Sequence, residues 1–151
     1  MLTTVATQIA VIGSGREWET AAEEVGRLLA ERGCTVVTGG LNEVMEAAHR
    51  GAKAAGGTTL AIVPGEDRSD ANPWADHVAV TGIGHARNLA VAASGDAVIA
   101  VGGSYGTLSE IAFALRLGRR VVALVGAPVV EGAEAAESPA EAVEKALRDF
   151  E

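Results

Sequence analysis

A repeated grammar limits what this chain can fold into: short apolar runs stop at glycine, and each is followed by a longer segment of helical period. Gln8 to Ile12 reads as a first strand and runs into Gly13-Ser14-Gly15-Arg16. A helix follows from about Glu17 to Arg32, with Ala21, Val25, Leu28 and Leu29 on one face and Gly33 as its stop signal. Thr35 to Thr38 is a second strand, Gly39-Gly40-Leu41-Asn42 a loop, Glu43 to Ala55 a second helix and Thr58 to Val63 a third strand. Residues 64–76, rich in Pro, Gly, Asp and Asn, read as a surface loop. His77 to Thr81 predicts a short strand, Gly82 to Gly84 a turn and His85 to Ala93 a helix. Ala97 to Val101, the loop GGSYGT, a helix from Leu108 to Leu117 and a strand from Arg120 to Val125 repeat the pattern. Ser138 to Phe150 closes it as a helix, with Ala142, Val143, Ala146 and Leu147 in step.

Strands that are apolar throughout, rather than at alternate positions, belong in a parallel sheet covered on both faces. The expectation is a doubly wound α/β fold: a three-layer parallel sheet forming a single domain over residues 1–151. Such sheets bind ligands beyond the carboxyl ends of their strands, so the loops that follow each strand are where function is to be sought.

Composition narrows the partner. Twelve basic residues against 20 acidic ones give a formal charge of −8, and aromatic residues make up 3% of the chain. That is neither the basic footprint nor the stacking surface that nucleic acid requires, and the sign of the charge disfavours a membrane surface. The apolar runs are far shorter than a spanning helix, and the first residues lack a basic n-region with a long apolar core, so a cytoplasmic location is expected. Much of the acidity sits in Glu131, Glu134, Glu137, Glu141, Glu144, Asp149 and Glu151, opposed there by Lys145 and Arg148 alone. A single small phosphate elsewhere on the chain is therefore still compatible with the charge. Cys34 is the only cysteine, which excludes an internal disulfide and a thiolate cage, and it reads as a buried hydrophobe. His77 and His85 lack ligand-type neighbours at metal spacing, so no metal site is expected.

Glycines between strand and helix let backbone N–H groups approach an anion at the positive end of the helix dipole. The loops compatible with this are Gly13-Ser14-Gly15-Arg16, Gly39-Gly40, and Gly102-Gly103-Ser104-Tyr105-Gly106-Thr107. The familiar nucleotide signatures are absent. There is no G-x-x-x-x-G-K-[ST], Trp18 stands where a dinucleotide fingerprint has its third glycine, and no acid ends the second strand. Two loops also match the S/T-x-x-E capping box, Ser14 with Glu17 and Thr107 with Glu110, which would serve only to start helices. Arg16 and Arg87 both fall in the first turn of a helix, where a cation opposes the dipole unless an anion lies nearby. Arg87 otherwise reads as exposed or paired with Glu110, and Asn88 as an ordinary polar helix position.

At these residues the chain resembles the Rossmann-like family once labelled lysine decarboxylases. That family includes the "lonely guy" cytokinin-activating phosphoribohydrolases and the molybdenum cofactor carrier proteins. Its pattern of GG, a spacer, GT, two residues and Glu matches Gly102, Gly103, Gly106, Thr107 and Glu110, and its preceding arginine matches Arg87. Thr38-Gly39-Gly40 with Val44-Met45-Glu46-Ala47 is similar to its glycine loop and following helix start. The likeness runs from Ile9 to about Val125.

For the hydrolases the resemblance implies cleavage of the N-glycosidic bond of a nucleoside 5′-monophosphate, with Arg87 and Glu110 as catalytic pair. The chain departs from the hydrolases at Val101 in place of proline, at the two-residue spacer Ser104-Tyr105, at Asn88 in place of lysine, and at Leu41-Asn42-Glu43 in place of further glycines. The longer spacer and the segment Gly84-His85-Ala86-Arg87-Asn88 are more similar to the carrier branch, which is implied to bind a phosphorylated pterin cofactor without turning it over. The expected function is thus binding or carriage of a small phosphorylated ligand, a nucleotide or molybdopterin-type cofactor, with no cofactor required for chemistry. Phosphoribohydrolase activity is the alternative, and a scaffold whose loops merely start helices the third reading. The expected ligand contacts are Gly13, Ser14, Gly15, Arg16, Gly39, Gly40, Arg87, Asn88, Gly102, Gly103, Ser104, Tyr105, Gly106 and Thr107. The resemblance also implies a homodimer or homotetramer.

Overall fold

The computed structural model describes residues 5–150. Its seven strands are β1 (Gln8–Ser14), β2 (Thr35–Thr38), β3 (Thr58–Val63), β4 (His77–Val80), β5 (Ala97–Gly102), β6 (Arg120–Leu124) and β7 (Glu134–Ala136). They form one sheet in the order β4-β3-β2-β1-β5-β6-β7, and every pairing is parallel. Five α-helices among the described residues cover its faces: α1 (Glu19–Glu31), α2 (Val44–Ala54), α3 (Arg87–Ser94), α4 (Tyr105–Arg116) and α5 (Pro139–Leu147). The expected doubly wound, three-layer fold is the one observed.

The layers follow from strand alternation. Along β1, Ile9 and Val11 point into a core with α1, α2 and α5, whereas Ala10 and Ile12 point into the opposite core with α3 and α4. Both faces are covered, which is why the strands carry no polar alternation. The chain runs outward from β1 to β4 and then returns to lay β5 on the other side of β1. Ser14 pairs with Gly102, so the carboxyl ends of these two strands lie level with each other at the switch point. Cys34 packs in the first core, where burial raises its thiol pKa, in keeping with a hydrophobic role. No helix among the described residues is long and apolar enough to cross a membrane.

The differences from expectation have physical causes. β7 has three residues, Glu-Ala-Ala, too few for a periodic signal, and it forms by pairing with β6 at the sheet edge. α1 begins later than expected because Arg16–Trp18 first makes a 3-10 turn. α4 begins at Tyr105, which carries Thr107 inside the helix. Neither expected capping box forms: Ser14 ends β1, Ser104 rather than Thr107 precedes α4, and neither helix start has a side-chain cap. A third match, Ser138 with Glu141, does cap. Ser138 has extended backbone, its Oγ accepts from the Glu141 N–H at 3.1 Å, and Pro139 opens the helix.

Helices α1 and α2 meet backbone to backbone. A Cβ on Gly26 would stand 2.0 Å from the Ala48 carbonyl oxygen, and one on Gly51 would stand 1.9 Å from that of Glu23. Two mid-helix glycines, unfavourable by propensity, are what allow this approach.

Candidate functional site

A cavity of about 160 Å³ opens at the switch point. Gly13 and Ser14 come to it from the end of β1, Gly39 from the loop after β2 and Met45 from α2. His85, Arg87 and Asn88 come from the start of α3, and Ser104, Gly106, Thr107 and Glu110 from the start of α4. Three separate glycine loops thus converge on one place, as the doubly wound topology requires.

Arg87 is buried rather than exposed, and it is not ion-paired with Glu110. Its Nε donates to the Ile62 carbonyl at 3.0 Å, one Nη to the Gly39 carbonyl at 3.2 Å and the other to Asn88 Oδ1. A guanidinium has five N–H donors, so two remain for a ligand. The arginine therefore ties β3, the second glycine loop and α3 together while facing the cavity. Gly39 has to be glycine for this, because a Cβ there would lie 2.7 Å from the guanidinium. Asn88 is also buried. Its Nδ2 donates to Ser109 Oγ at 3.2 Å, and Ser109 Oγ donates to the Gly106 carbonyl at 2.6 Å, so Asn88 clamps α3 to the first turn of α4.

Glu110 is 8% exposed, and its carboxyl makes no hydrogen bond or ion pair among the described residues. Burial pushes its carboxyl up to about 7, against the opposing pull of Arg87, so near neutral pH it can either donate or accept a proton at the cavity wall. The burial of Glu110 also works in the opposite direction to that of His49. His49 is fully buried, its Nε2 is 3.1 Å from Thr38 Oγ1 and its Nδ1 is 3.4 Å from Asn72 Nδ2. Asn72 Nδ2 also faces the carbonyls of Gly40 and Leu41, to which its two N–H groups can donate. Burial holds this histidine down at about 4.

The two shifts give opposite slopes of stability with pH. The His49 contribution is complete above its ordinary pKa of 6.5 and is lost as pH falls toward 4. The Glu110 contribution is complete below 4.5 and is lost as pH rises through 7. Between pH 4.5 and 6.5 they nearly cancel, so their joint contribution to the wild-type stability is flat across that window. Glu110→Gln should expose a rise of about 2 kcal/mol over the window, and His49→Gln a fall of about 2 kcal/mol, by urea unfolding. Parallel profiles for the two variants would contradict this assignment.

Several expected contacts lie outside the cavity lining. Gly102 and Gly103 are required by the chain itself: a Cβ on Gly102 would meet the Trp18 ring at 2.1 Å, and one on Gly103 would meet Thr107 Oγ1 at 2.1 Å. Trp18, which displaced the dinucleotide reading, is the plug that these glycines accommodate, and it lies equally close over Gly126. Gly40 packs under Val63 and Ala61, Arg16 is exposed and Tyr105 is 87% exposed. The Gly15 N–H is already bonded to Glu43 Oε1 at 2.6 Å. By contrast Gly106, where a Cβ would find only Asn88 Nδ2 at 3.9 Å, leaves open space in the cavity.

Sequence reasoning missed Met45 in the lining and the Thr38–His49–Asn72 network beneath the second loop. It also left residues 64–76 without a role. The structure shows them anchored: the Asn72 N–H donates to the Gly40 carbonyl at 2.8 Å, and Asp76 accepts from Lys53 and from Thr59. No motif announces a contact between residues 32 positions apart.

With this geometry in hand, comparison with known proteins places the chain. The model of the SLOG cluster4 family matches residues 6–148. The chain belongs to that family. This SLOG cluster4 protein is 48% identical over 139 residues to an uncharacterised protein of Archaeoglobus fulgidus, covering 90% of this chain and 91% of that one. Its structure is similar to that of the molybdenum cofactor binding protein of Rippkaea orientalis, with a TM-score of 0.91 and 32% identity over 99% of this chain and 100% of that one. It is also similar to the molybdenum cofactor carrier protein of Chlamydomonas reinhardtii, with a TM-score of 0.86 and 31% identity over 95% and 98% of the two chains. The SLOG cluster4 protein thus stands near the carrier branch that Gly84–Asn88 and the long spacer suggested.

Proposed function

We propose that this protein binds a small phosphorylated ligand of nucleotide or molybdopterin type and acts as its carrier. The observation that supports this most is the convergence of the first turn of α4 with Arg87 and Glu110 in one cavity. The N–H groups of Tyr105, Gly106 and Thr107 open a twelve-residue helix and have no intrahelical acceptor, so a phosphate there meets both free donors and the positive end of the dipole. The two unused N–H groups of Arg87 add a charged donor. Glu110, able to give or take a proton, suits the ring nitrogens or carbonyls of a heterocycle. A molybdopterin-type ligand carries both chemistries, and the names of the two structural neighbours agree with it.

The test is thermal unfolding with orthophosphate, AMP and a molybdopterin source, together with mass spectrometry of what copurifies. Stabilisation by a phosphorylated ligand is expected, and none by any of them would remove the reading. Gly106→Ala separates site from scaffold: its backbone φ is not in the left-handed region, so folding should be preserved while affinity falls at least tenfold.

One observation favours a second reading, the hydrolase. A carboxyl held near neutrality in a cavity is suited to stabilise or protonate at a glycosidic bond. Incubation with nucleoside monophosphates decides between them, since base release abolished by Glu110→Gln would replace the carrier reading. The exposed Leu89, Tyr105, Leu108, Phe113 and Leu117 of α3, α4 and its end support self-association, which sedimentation would test.

A further inference from the structure

The first glycine loop carries its own anion. Glu43, the residue that precedes α2, reaches across from the loop after β2 and accepts the Gly15 N–H through Oε1 at 2.6 Å. Its backbone, at φ 57° and ψ −122°, has the conformation of the first central residue of a type II′ turn, a position that favours glycine. A glutamate is held there and its carboxylate makes a charge-assisted bond to the loop. The Gly15 amide directly follows Ser14, which lines the cavity, so an anion entering from that side would compete with the Glu43 carboxylate for it.

Resting on the phosphate reading above, we infer that Glu43 is a specificity residue: it occupies the first-loop phosphate seat and limits the cavity to a ligand with one phosphate group. Ser14 and Gly102 are cross-strand partners, so the first loop and the start of α4 border the same cavity. A diphosphate seated at α4 would direct its second group toward the Gly15 amide and meet the Glu43 carboxylate, which excludes it by occupancy and by like charge. A phosphate monoester avoids the conflict.

The test uses the full chain, orthophosphate and pyrophosphate, and the variants Glu43→Gly and Glu43→Gln, read by calorimetry and by the Gly15 amide signal in nitrogen–proton NMR. Glycine suits the II′ backbone, so Glu43→Gly should fold, as thermal melting will confirm. The wild type is expected to bind pyrophosphate no more tightly than orthophosphate. In Glu43→Gly, pyrophosphate affinity should rise at least tenfold while orthophosphate changes less than threefold, and pyrophosphate should now move the Gly15 signal. Glu43→Gln keeps an acceptor on the amide and removes the charge, so its gain should be intermediate. An unchanged pyrophosphate-to-orthophosphate ratio in Glu43→Gly, with orthophosphate still bound, overturns the role of Glu43 alone. Failure of both anions to bind any of the three proteins overturns the phosphate reading on which it rests.

Discussion

Gly51→Ala should lower the unfolding free energy by roughly 3 kcal/mol or more, and Gly26→Ala by a similar amount. Propensity alone gives the opposite sign, because alanine in an exposed helix interior is favoured over glycine by about 1 kcal/mol. The contact between α1 and α2 reverses it. Each new Cβ would lie about 2 Å from a carbonyl oxygen of the neighbouring helix, a backbone atom that cannot rotate away. The helices must separate, and Ala22, Val25, Ala48 and Ala52, all fully buried, lose packing with them. For a domain of this size the loss corresponds to a melting point lower by roughly 6–12 °C. The double variant should cost less than the sum of the two, since one separation relieves both clashes. Unchanged or raised melting for Gly51→Ala would mean that the helices do not approach as described.

Arg87→Met should abolish measurable binding of a phosphorylated ligand, with a loss of at least a hundredfold, and should also destabilise the fold. Methionine fills much of the space but leaves the Ile62 and Gly39 carbonyls without their charged donor, and such hydrogen bonds are worth about 1.5–3 kcal/mol each. The Gly39 loop, released from Arg87, would still be held from below through Gly40 by Thr38 and Asn72. The charge of Arg87 also opposes the upward shift of Glu110, so the Glu110 carboxyl should titrate above its wild-type value of about 7. Urea unfolding, calorimetry and carboxyl NMR titration read the three consequences separately. Arg87→Lys should not rescue binding, because one ammonium cannot reach three acceptors held in a planar fork. Loss of stability with affinity intact would show that Arg87 is a structural tie and nothing more.

The contrast between Gly106 and its neighbours shows how the loop has to be read. Written as GGSYGT, its three glycines look equivalent, each a place for a ligand to approach backbone. In the fold, Gly102 makes room for Trp18 and Gly103 for Thr107, and only Gly106 leaves space toward the cavity. The residue that fills the space next to Gly102 lies in another loop, so no local pattern distinguishes these roles. The capping boxes teach the same lesson. Ser14–Glu17, Thr107–Glu110 and Ser138–Glu141 share a spelling, yet Ser14 is held in β1 by pairing with Gly102, and Thr107 is taken inside α4.

What the sequence determined by itself was everything set by short-range period and chirality. Apolar runs without alternation demanded a covered parallel sheet, glycine stops marked the strand ends, and the winding order made the carboxyl edge, where Arg87 and Glu110 lie, the place to look for a site. Tertiary structure alone decided which atoms line the cavity there. Arg87 is committed to two backbone carbonyls, Glu43 answers Gly15 across 28 positions, and Asn72 steadies a loop 32 positions away. Local sequence carries the energy of turns and periods, but hydrogen bonds and packing between distant segments exist only after the sheet has brought those segments together.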